Sequence, residues 1–326
     1  MLEFGGVILG ILLLLGGGTL VVRGASEIAE RLGVSPMIVG LTIVGFGTSA
    51  PELVVNILGS INGETALAFG NVAGSNVANL GLVLGLAALI APISIQGNLV
   101  RREVPLLLLG TTALTVMALD GVLEGFAPVI RRSDSIVLLL LFGVFVYITA
   151  MDVIRSKSSD KLLLVLAERS SLSSAPQARL SWIVLIVGGA MLFAGGEMTV
   201  RNGSSLAQSF GISPTIVGLF VVAVGTSMPE LVTSIIAAMR NESDLALGNV
   251  VGSNIFNALF VLPISGLIAP IPVPEGGIGD LVASWVFAAS LIYFFVVGRA
   301  SLGRPAGAMF LVAYVAYAVY RVTAGQ

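Results

Sequence analysis

Two stretches, GLTIVGFGTSAPELVV (Gly40–Val55) and GLFVVAVGTSMPELVT (Gly218–Thr233), are copies of one another at an offset of 178 residues. The same offset carries Pro36 onto Pro214 and GNVAGSNVAN (from Gly70) onto GNVVGSNIFN (from Gly248). It also carries IAPI (from Ile90) onto a second IAPI (from Ile268). Between 36–79 and 214–257 no gap is needed, and 24 of 44 positions are identical. Polar positions match as well as apolar ones, which shared apolar composition does not produce. The chain is a duplicated unit.

The solvent of that unit follows from composition. Of the 326 residues, 56% are hydrophobic and 10% charged, against about 25% charged in a soluble domain. A soluble enzyme, a disordered chain and a nucleic-acid binder are excluded; the net charge of −2 and the lack of a basic tract agree. Ten apolar runs are near the ~20 residues that a membrane helix needs. They lie at roughly 5–23, 37–61, 65–90, 104–119, 130–151, 181–204, 215–239, 245–269, 281–298 and 305–322. They are apolar all round, whereas barrel strands alternate. The expectation is an all-α integral membrane protein of ten transmembrane helices. Two five-helix halves, 1–154 and 181–326, flank a polar cytoplasmic linker over 155–180. Five is odd, so the second half enters the membrane from the opposite face. Inverted repeats with a site at their interface are a transporter architecture. With both termini outside, twelve of the 16 Lys and Arg residues fall on the cytoplasmic side, as the positive-inside rule requires.

Each copy carries one carboxylate at membrane depth, Glu52 and Glu230. An acidic residue at the centre of a span costs about 2.5–3.5 kcal/mol on insertion scales and marks an ion or proton pathway. A packed, proton-sharing carboxyl pair is the bland alternative. The neighbours favour a cation. Thr48 and Ser49 share a helix sector with Glu52, and Thr226 and Ser227 repeat this around Glu230. Pro51 and Pro229 break the helix ladder and free carbonyl oxygens beside the carboxylates, which is tolerated at membrane depth where backbone lines a cavity. Asn71, Ser75 and Asn79 form one stripe at i, i+4, i+8, and Asn249, Ser253 and Asn257 repeat it. Ser75, Asn79, Ser253 and Asn257 are the expected ligands. Asn71, Asn76, Asn249 and Asn254 are expected to cap broken helices or brace the ligands. The set offers only oxygen, and the chain has no Cys or His. That suits hard cations, Ca²⁺ or Na⁺.

At these residues the sequence resembles the sodium/calcium exchanger branch of the calcium/cation antiporter superfamily. GTSAPE (Gly47–Glu52) and GTSMPE (Gly225–Glu230), with the two GN-containing decapeptides, look like that family's alpha repeats, over about 35–93 and 213–271. The resemblance implies a ten-helix antiporter that exchanges several Na⁺ for one Ca²⁺ by alternating access, with no cofactor. It makes Glu52 and Glu230 the shared carboxylates. Thr48, Ser49, Thr226, Ser227, Ser75 and Ser253 become oxygen ligands, mostly for Na⁺, with Asn79 at the centre. The carbonyls of Gly45 and Ala223 match positions that ligate through backbone. Spans 1 and 6, rich in glycine at Gly16, Gly17, Gly18, Gly188, Gly189, Gly195 and Gly196, become the loosely packed pair that slides across the other eight.

Asn257 departs from some archaeal relatives, which carry Asp there; the pocket then has two carboxylates, and Asn argues against K⁺ co-transport. Proton-coupled relatives show a GNxxE pattern where this chain has GNVAG and GNVVG, which argues against H⁺ as the driving ion. A proton/divalent cation antiporter on the same fold and a cation channel are the alternatives. The expected partners are small inorganic cations and the lipid bilayer, with no nucleic acid and no obligatory protein. The expected location is the plasma membrane, with multiple passes.

Overall fold

The computed structural model describes residues 2–95, 97, 99–159, 175–209, 223–297 and 300–324. The first half runs α1 (Leu2–Leu32), α2 (Pro36–Val39), a π-helical segment (Gly40–Val44), α3 (Gly45–Thr48) and α4 (Ala50–Ile61). It continues with α5 (Thr65–Ala78), a second π segment (Asn79–Val83), α6 (Leu84–Ile90), β1 (Ile93–Ser94), a third π segment (Leu99–Glu103), α7 (Val104–Glu124), β2 (Val129–Ile130) and α8 (Arg132–Ser159). The second half holds α9 (Ala175–Ser209), α10 (Ala223–Thr226), α11 (Met228–Met239), α12 (Ser243–Phe256) and a π segment (Asn257–Val261). Then come α13 (Leu262–Ile268), β3 (Ile271–Pro272), α14 (Gly277–Val297), β4 (Ser301–Leu302) and α15 (Arg304–Ala324). From α3 to β1, each of these elements recurs 178 residues later, from α10 to β3.

Eight described helices are long and apolar enough to cross a membrane, and the pair Pro36–Thr48 and Ala50–Ile61, bent by 42°, makes a ninth span. Of the expected span at 215–239, residues 223–239 are described, as Ala223–Thr226 and Met228–Met239; Pro214 and 215–222 lie outside the described residues. The protein is a mostly helical, multi-pass integral membrane protein.

Several boundaries differ from the sequence reading. The first span continues to Leu32 rather than ending near 23. Its polar residues do not end it because they are satisfied along the helix: Arg23 Nε pairs with Glu27 Oε1 one turn on, at 2.9 Å. The stop comes at Gly33, whose φ of +65° is left-handed. Gly33 N–H bonds Glu30 O at 3.2 Å and Val34 N–H bonds Ala29 O at 3.1 Å, the double closure of a Schellman cap. Within the expected linker, α8 runs on to Ser159 and α9 starts at Ala175; 160–174 lie outside the described residues. Two short antiparallel ribbons also form. Ile93 faces Leu302 in β1–β4, and Ile130 faces Ile271 in β2–β3. Each joins the end of one repeat to the other half, so the halves interlock.

At the centre lie α5 and α12. Leu245 to Phe256 of α12 are all buried. Lipid is as apolar as a leucine side chain, so such helices associate by close packing rather than by water exclusion. The glycines serve this. A Cβ on Gly248 would sit 2.6 Å from Met37 O, and one on Gly40 would sit 2.8 Å from Leu245 O. α12 therefore runs backbone-to-backbone against α2 and the first π segment. The glycines of α1 and α9 mostly face each other rather than the rest of the bundle. A Cβ on Gly17 would sit 2.7 Å from Gly188 O, and one on Gly195 would sit 2.7 Å from Gly10 O. At one end of the pair Ser181 Oγ donates to Glu27 at 2.7 Å, and at the other Ser205 Oγ donates to Glu3 at 2.5 Å. The two helices of the pair are thus tightly joined to each other along their length. Small residues at both surfaces let the backbones meet. Gly18 and Gly196 do face α11 and its approach, toward Val232 and Pro229 respectively.

Each half ties its fourth span to its fifth by charge. Arg102, before α7, pairs with Glu103 and with Asp152 of α8. Arg321 of α15 pairs with Asp280 of α14 at 2.8 Å, and Tyr317 donates to the same carboxylate at 2.7 Å.

Candidate cation-binding site

Two serines act as joints. Ser49, between α3 and α4, has φ −86° and ψ 8°; Ser227, between α10 and α11, has φ −86° and ψ 6°. Pro51 and Pro229 follow in the first turn of the next helix, where a missing N–H is harmless and the fixed φ suits the helix. Glu52 and Glu230 then fall in the first turns of α4 and α11. The partial positive charge of a helix N-terminus supports a carboxylate there. Both side chains are 0% exposed.

The two halves exchange ligands across the interface. Ser49 Oγ donates to Glu230 Oε1 at 2.8 Å, although they are 181 residues apart in sequence. Ser253 Oγ lies 3.4 Å from the same oxygen and 3.2 Å from Gly45 O. Thr48 Oγ1 approaches Ser253 Oγ at 3.3 Å and donates to Asn249 Oδ1 at 3.0 Å. Gly45 O also accepts Thr48 Oγ1 at 3.3 Å and Ser49 N–H at 3.2 Å. On the other side Ser75 Oγ reaches Glu52 Oε1 at 3.5 Å, and Thr226 Oγ1 reaches Asn71 Oδ1 at 3.5 Å. Ala223 opens α10, one turn before Ser227. Asn79 and Asn257 each begin a π segment. There the helix ladder slips to i→i+5, a local irregularity frequent at functional sites.

The structure therefore gathers most of the sequence-derived residues around the two carboxylates. Ser227 and Asn257 are buried without hydrogen-bond partners among the described residues. So are Glu52 Oε2, Glu230 Oε2 and Asn79 Oδ1. An unpaired buried oxygen costs about 1–3 kcal/mol, more when charged. Oxygens left without a hydrogen-bond partner are electron-pair donors suited to a hard, positively charged substrate. Among the described residues no group of three or more acidic side chains gathers at a point, so the pocket's charge comes from the two glutamates.

The bracing residues include two that sequence reading passed over. Asn71 Nδ2 donates to Asn56 Oδ1 at 2.7 Å, and Asn56 Nδ2 donates to Ala68 O at 3.1 Å. In the other half Asn249 Nδ2 donates to Ser234 Oγ at 2.9 Å. Asn56 and Ser234 are repeat equivalents, each one turn after its glutamate, and both are 0% exposed. The i+4 spacing from Glu52 and Glu230 was the available signal.

Comparison with known proteins places the chain in a family. The sequence matches the sodium/calcium exchanger protein family over residues 2–151 and 180–323. The chain belongs to the sodium/calcium exchanger family. It is 32% identical to the sodium/calcium exchanger MaX1 of Methanosarcina acetivorans, covering 96% of each chain. It is 36% identical to the putative antiporter CaxA of Alkalimonas amylolytica, covering 95% of this chain and 96% of that one. Among solved structures, the sodium-calcium exchanger NCX_Mj superposes with a TM-score of 0.81 at 30% identity, over 97% of both chains. Members of this exchanger family are membrane antiporters of small cations, calcium among them, rather than enzymes. The ten-helix inverted repeat is the exchanger fold.

Proposed function

We propose that this exchanger moves Ca²⁺ against Na⁺ by alternating access, at one site built on Glu52 and Glu230. The observation that carries the reading is the pair of fully buried carboxylates from opposite repeats, each with one oxygen lacking a hydrogen-bond partner. Two ionised carboxylates balance one Ca²⁺. The hydroxyls of Thr48, Ser49, Ser75, Thr226, Ser227 and Ser253, the amide oxygens of Asn79 and Asn257, and the carbonyls of Gly45 and Ala223 complete an oxygen shell. Ca²⁺ takes six to eight such ligands. Na⁺ uses the same oxygens, so several Na⁺ and one Ca²⁺ compete for the pocket.

Competition makes exchange obligatory. An uncompensated buried ion costs several kcal/mol even after relaxation, so the empty, doubly charged site does not change its exposure readily. Bound cations neutralise it and permit the step. The chain is divided into halves 1–154 and 181–326 about the 155–180 linker, lies with both termini outside, and works in the plasma membrane. K⁺ has no third carboxylate to recruit it, since Asn stands at 257.

The driving ion is tested with ⁴⁵Ca²⁺ uptake into proteoliposomes, under an outward Na⁺ gradient or a pH gradient alone. Uptake is expected with the Na⁺ gradient and at background with the pH gradient. Uptake driven by the pH gradient and indifferent to Na⁺ defeats the reading in favour of a proton/divalent cation antiporter.

A further inference from the structure

At the centre of the molecule a residue meets its own repeat equivalent. Asn76 and Asn254 are separated by the repeat offset, and each donates Nδ2 to the other's main-chain carbonyl, at 3.3 and 3.0 Å. The pseudo-two-fold axis passes between them. A carbonyl can only accept, so these two bonds decide which way both carboxamides face. Nδ2 is committed, and Oδ1 is left as an acceptor. Asn254 Oδ1 accepts from Asn79 Nδ2 at 3.1 Å. That commits the nitrogen of Asn79 in turn. Its Oδ1, without a hydrogen-bond partner, is left as the atom offered to a cation.

The symmetry-related bond, from Asn257 Nδ2 to Asn76 Oδ1, is not made. Both of those atoms are buried and without hydrogen-bond partners among the described residues, as is Asn257 Oδ1. A two-fold pair of bonds is half closed. All four residues are at most 4% exposed. The same bias runs through the carboxylates. Ser49 reaches Glu230 at 2.8 Å, while its equivalent Ser227 has no hydrogen-bond partner among the described residues. Thr48 reaches Asn249 at 3.0 Å, while Thr226 reaches Asn71 at 3.5 Å.

Inverted repeats reach the opposite-facing state by exchanging the arrangements of their two halves. We infer that Asn76 and Asn254 are positioning residues of a two-state switch. Asn254 orients the Asn79 carboxamide in the state described above, and Asn76 orients that of Asn257 in the state of opposite access. The inference rests on the alternating-access reading. Each state presents one oriented amide oxygen to the cation, while the other asparagine is released. A carboxamide free to turn presents NH₂ to a cation as readily as oxygen, and loss of one buried hydrogen bond corresponds to about tenfold in affinity.

The test uses full-length protein in proteoliposomes, with one orientation silenced by an impermeant thiol reagent at an introduced loop cysteine. The native chain has none. Asn254→Ala is expected to raise the KM for Ca²⁺ about tenfold at one membrane face and less than twofold at the other. Asn76→Ala is expected to reverse the faces. Added to Asn79→Ala, Asn254→Ala is expected to change nothing further at its own face, because it acts through Asn79. Equal rises at both faces, or effects that multiply in the double variant, overturn the switch. Should an Ala variant not fold, the Ser variant, which partly fills the space, takes its place. Equilibrium dialysis of ⁴⁵Ca²⁺ on purified protein repeats the double-variant comparison without transport. Intact dialysis coupling with no Na⁺-driven flux defeats the proposed function and leaves the asparagine coupling standing. Na⁺-driven flux with multiplicative dialysis effects defeats the switch alone.

Discussion

Glu230→Gln is expected to lower Ca²⁺ transport at least about 100-fold, and Glu52→Gln to match it. Glutamine keeps the shape of the side chain and can still accept from Ser49, which lies 2.8 Å from Glu230 in the native protein. What changes is charge. With one carboxylate gone, Ca²⁺ leaves a buried positive surplus, and removing one partner from a buried charged group costs about 3–5 kcal/mol, or about 10²–10⁴-fold in affinity. The double variant is expected to be no more defective in flux than either single one, because one missing charge already stops the cycle. Tracer uptake and ⁴⁵Ca²⁺ binding on monodisperse protein check this. Single variants that keep more than half of wild-type flux would mean that the carboxylates are a packed pair with no part in transport.

Gly252→Val carries the second large effect, on stability. A Cβ at Gly252 would be driven into the main-chain carbonyl of Leu41, and Leu41 is itself fully buried. Backbone on the first π segment cannot move aside without displacing Gly45, whose carbonyl takes bonds from Thr48, Ser49 and Ser253. Overpacking of a core costs about 1–3 kcal/mol and occasionally more; a backbone clash belongs at the upper end. At about 2.1 cal/mol/K of unfolding entropy per residue, a loss of about 3 kcal/mol lowers Tm by roughly 4–5 °C for a chain of 326 residues. Gly143→Val is the matched control, on an exposed face of α8 where an added Cβ meets nothing within 4 Å. It is expected to leave Tm within about 2 °C, since substitutions on exposed faces away from such contacts stay within ±0.5 kcal/mol. Thermal unfolding in detergent distinguishes them; equal Tm values would mean that the approach of α12 to the first π segment is not a close one.

Much of this architecture was legible in the chain itself. The offset of 178 places Glu52 against Glu230, and the odd span count inverts the halves. The oxygen-only composition of the motifs points to a hard cation. Other features depend on three-dimensional contact and leave no local trace. Arg23 looks like the end of a span until its pairing with Glu27 shows the helix continuing. The glycines of α1 and α9 look the same in sequence whether they face each other or the bundle. The π segments at Asn79 and Asn257 follow helices of ordinary apolar pattern, and a shift from i→i+4 to i→i+5 has no compositional mark. Asn56 and Ser234 had a signal, one turn past each glutamate. A difference in residue type between equivalent positions hid it from a search for identical pairs. The half-closed asparagine network is the clearest limit, since symmetric motifs cannot reveal which of two equivalent bonds is made.

The most direct measurement is ⁴⁵Ca²⁺ efflux from proteoliposomes into buffer containing Na⁺, into buffer containing Ca²⁺, and into buffer with neither. The membrane is voltage-clamped by valinomycin and equal K⁺ on both sides. Rapid efflux is expected with either counter-cation, and efflux at least about tenfold slower with none, because an empty site holding two unpaired buried carboxylates returns slowly. Efflux equally fast in all three buffers would contradict obligatory exchange at the Glu52–Glu230 site.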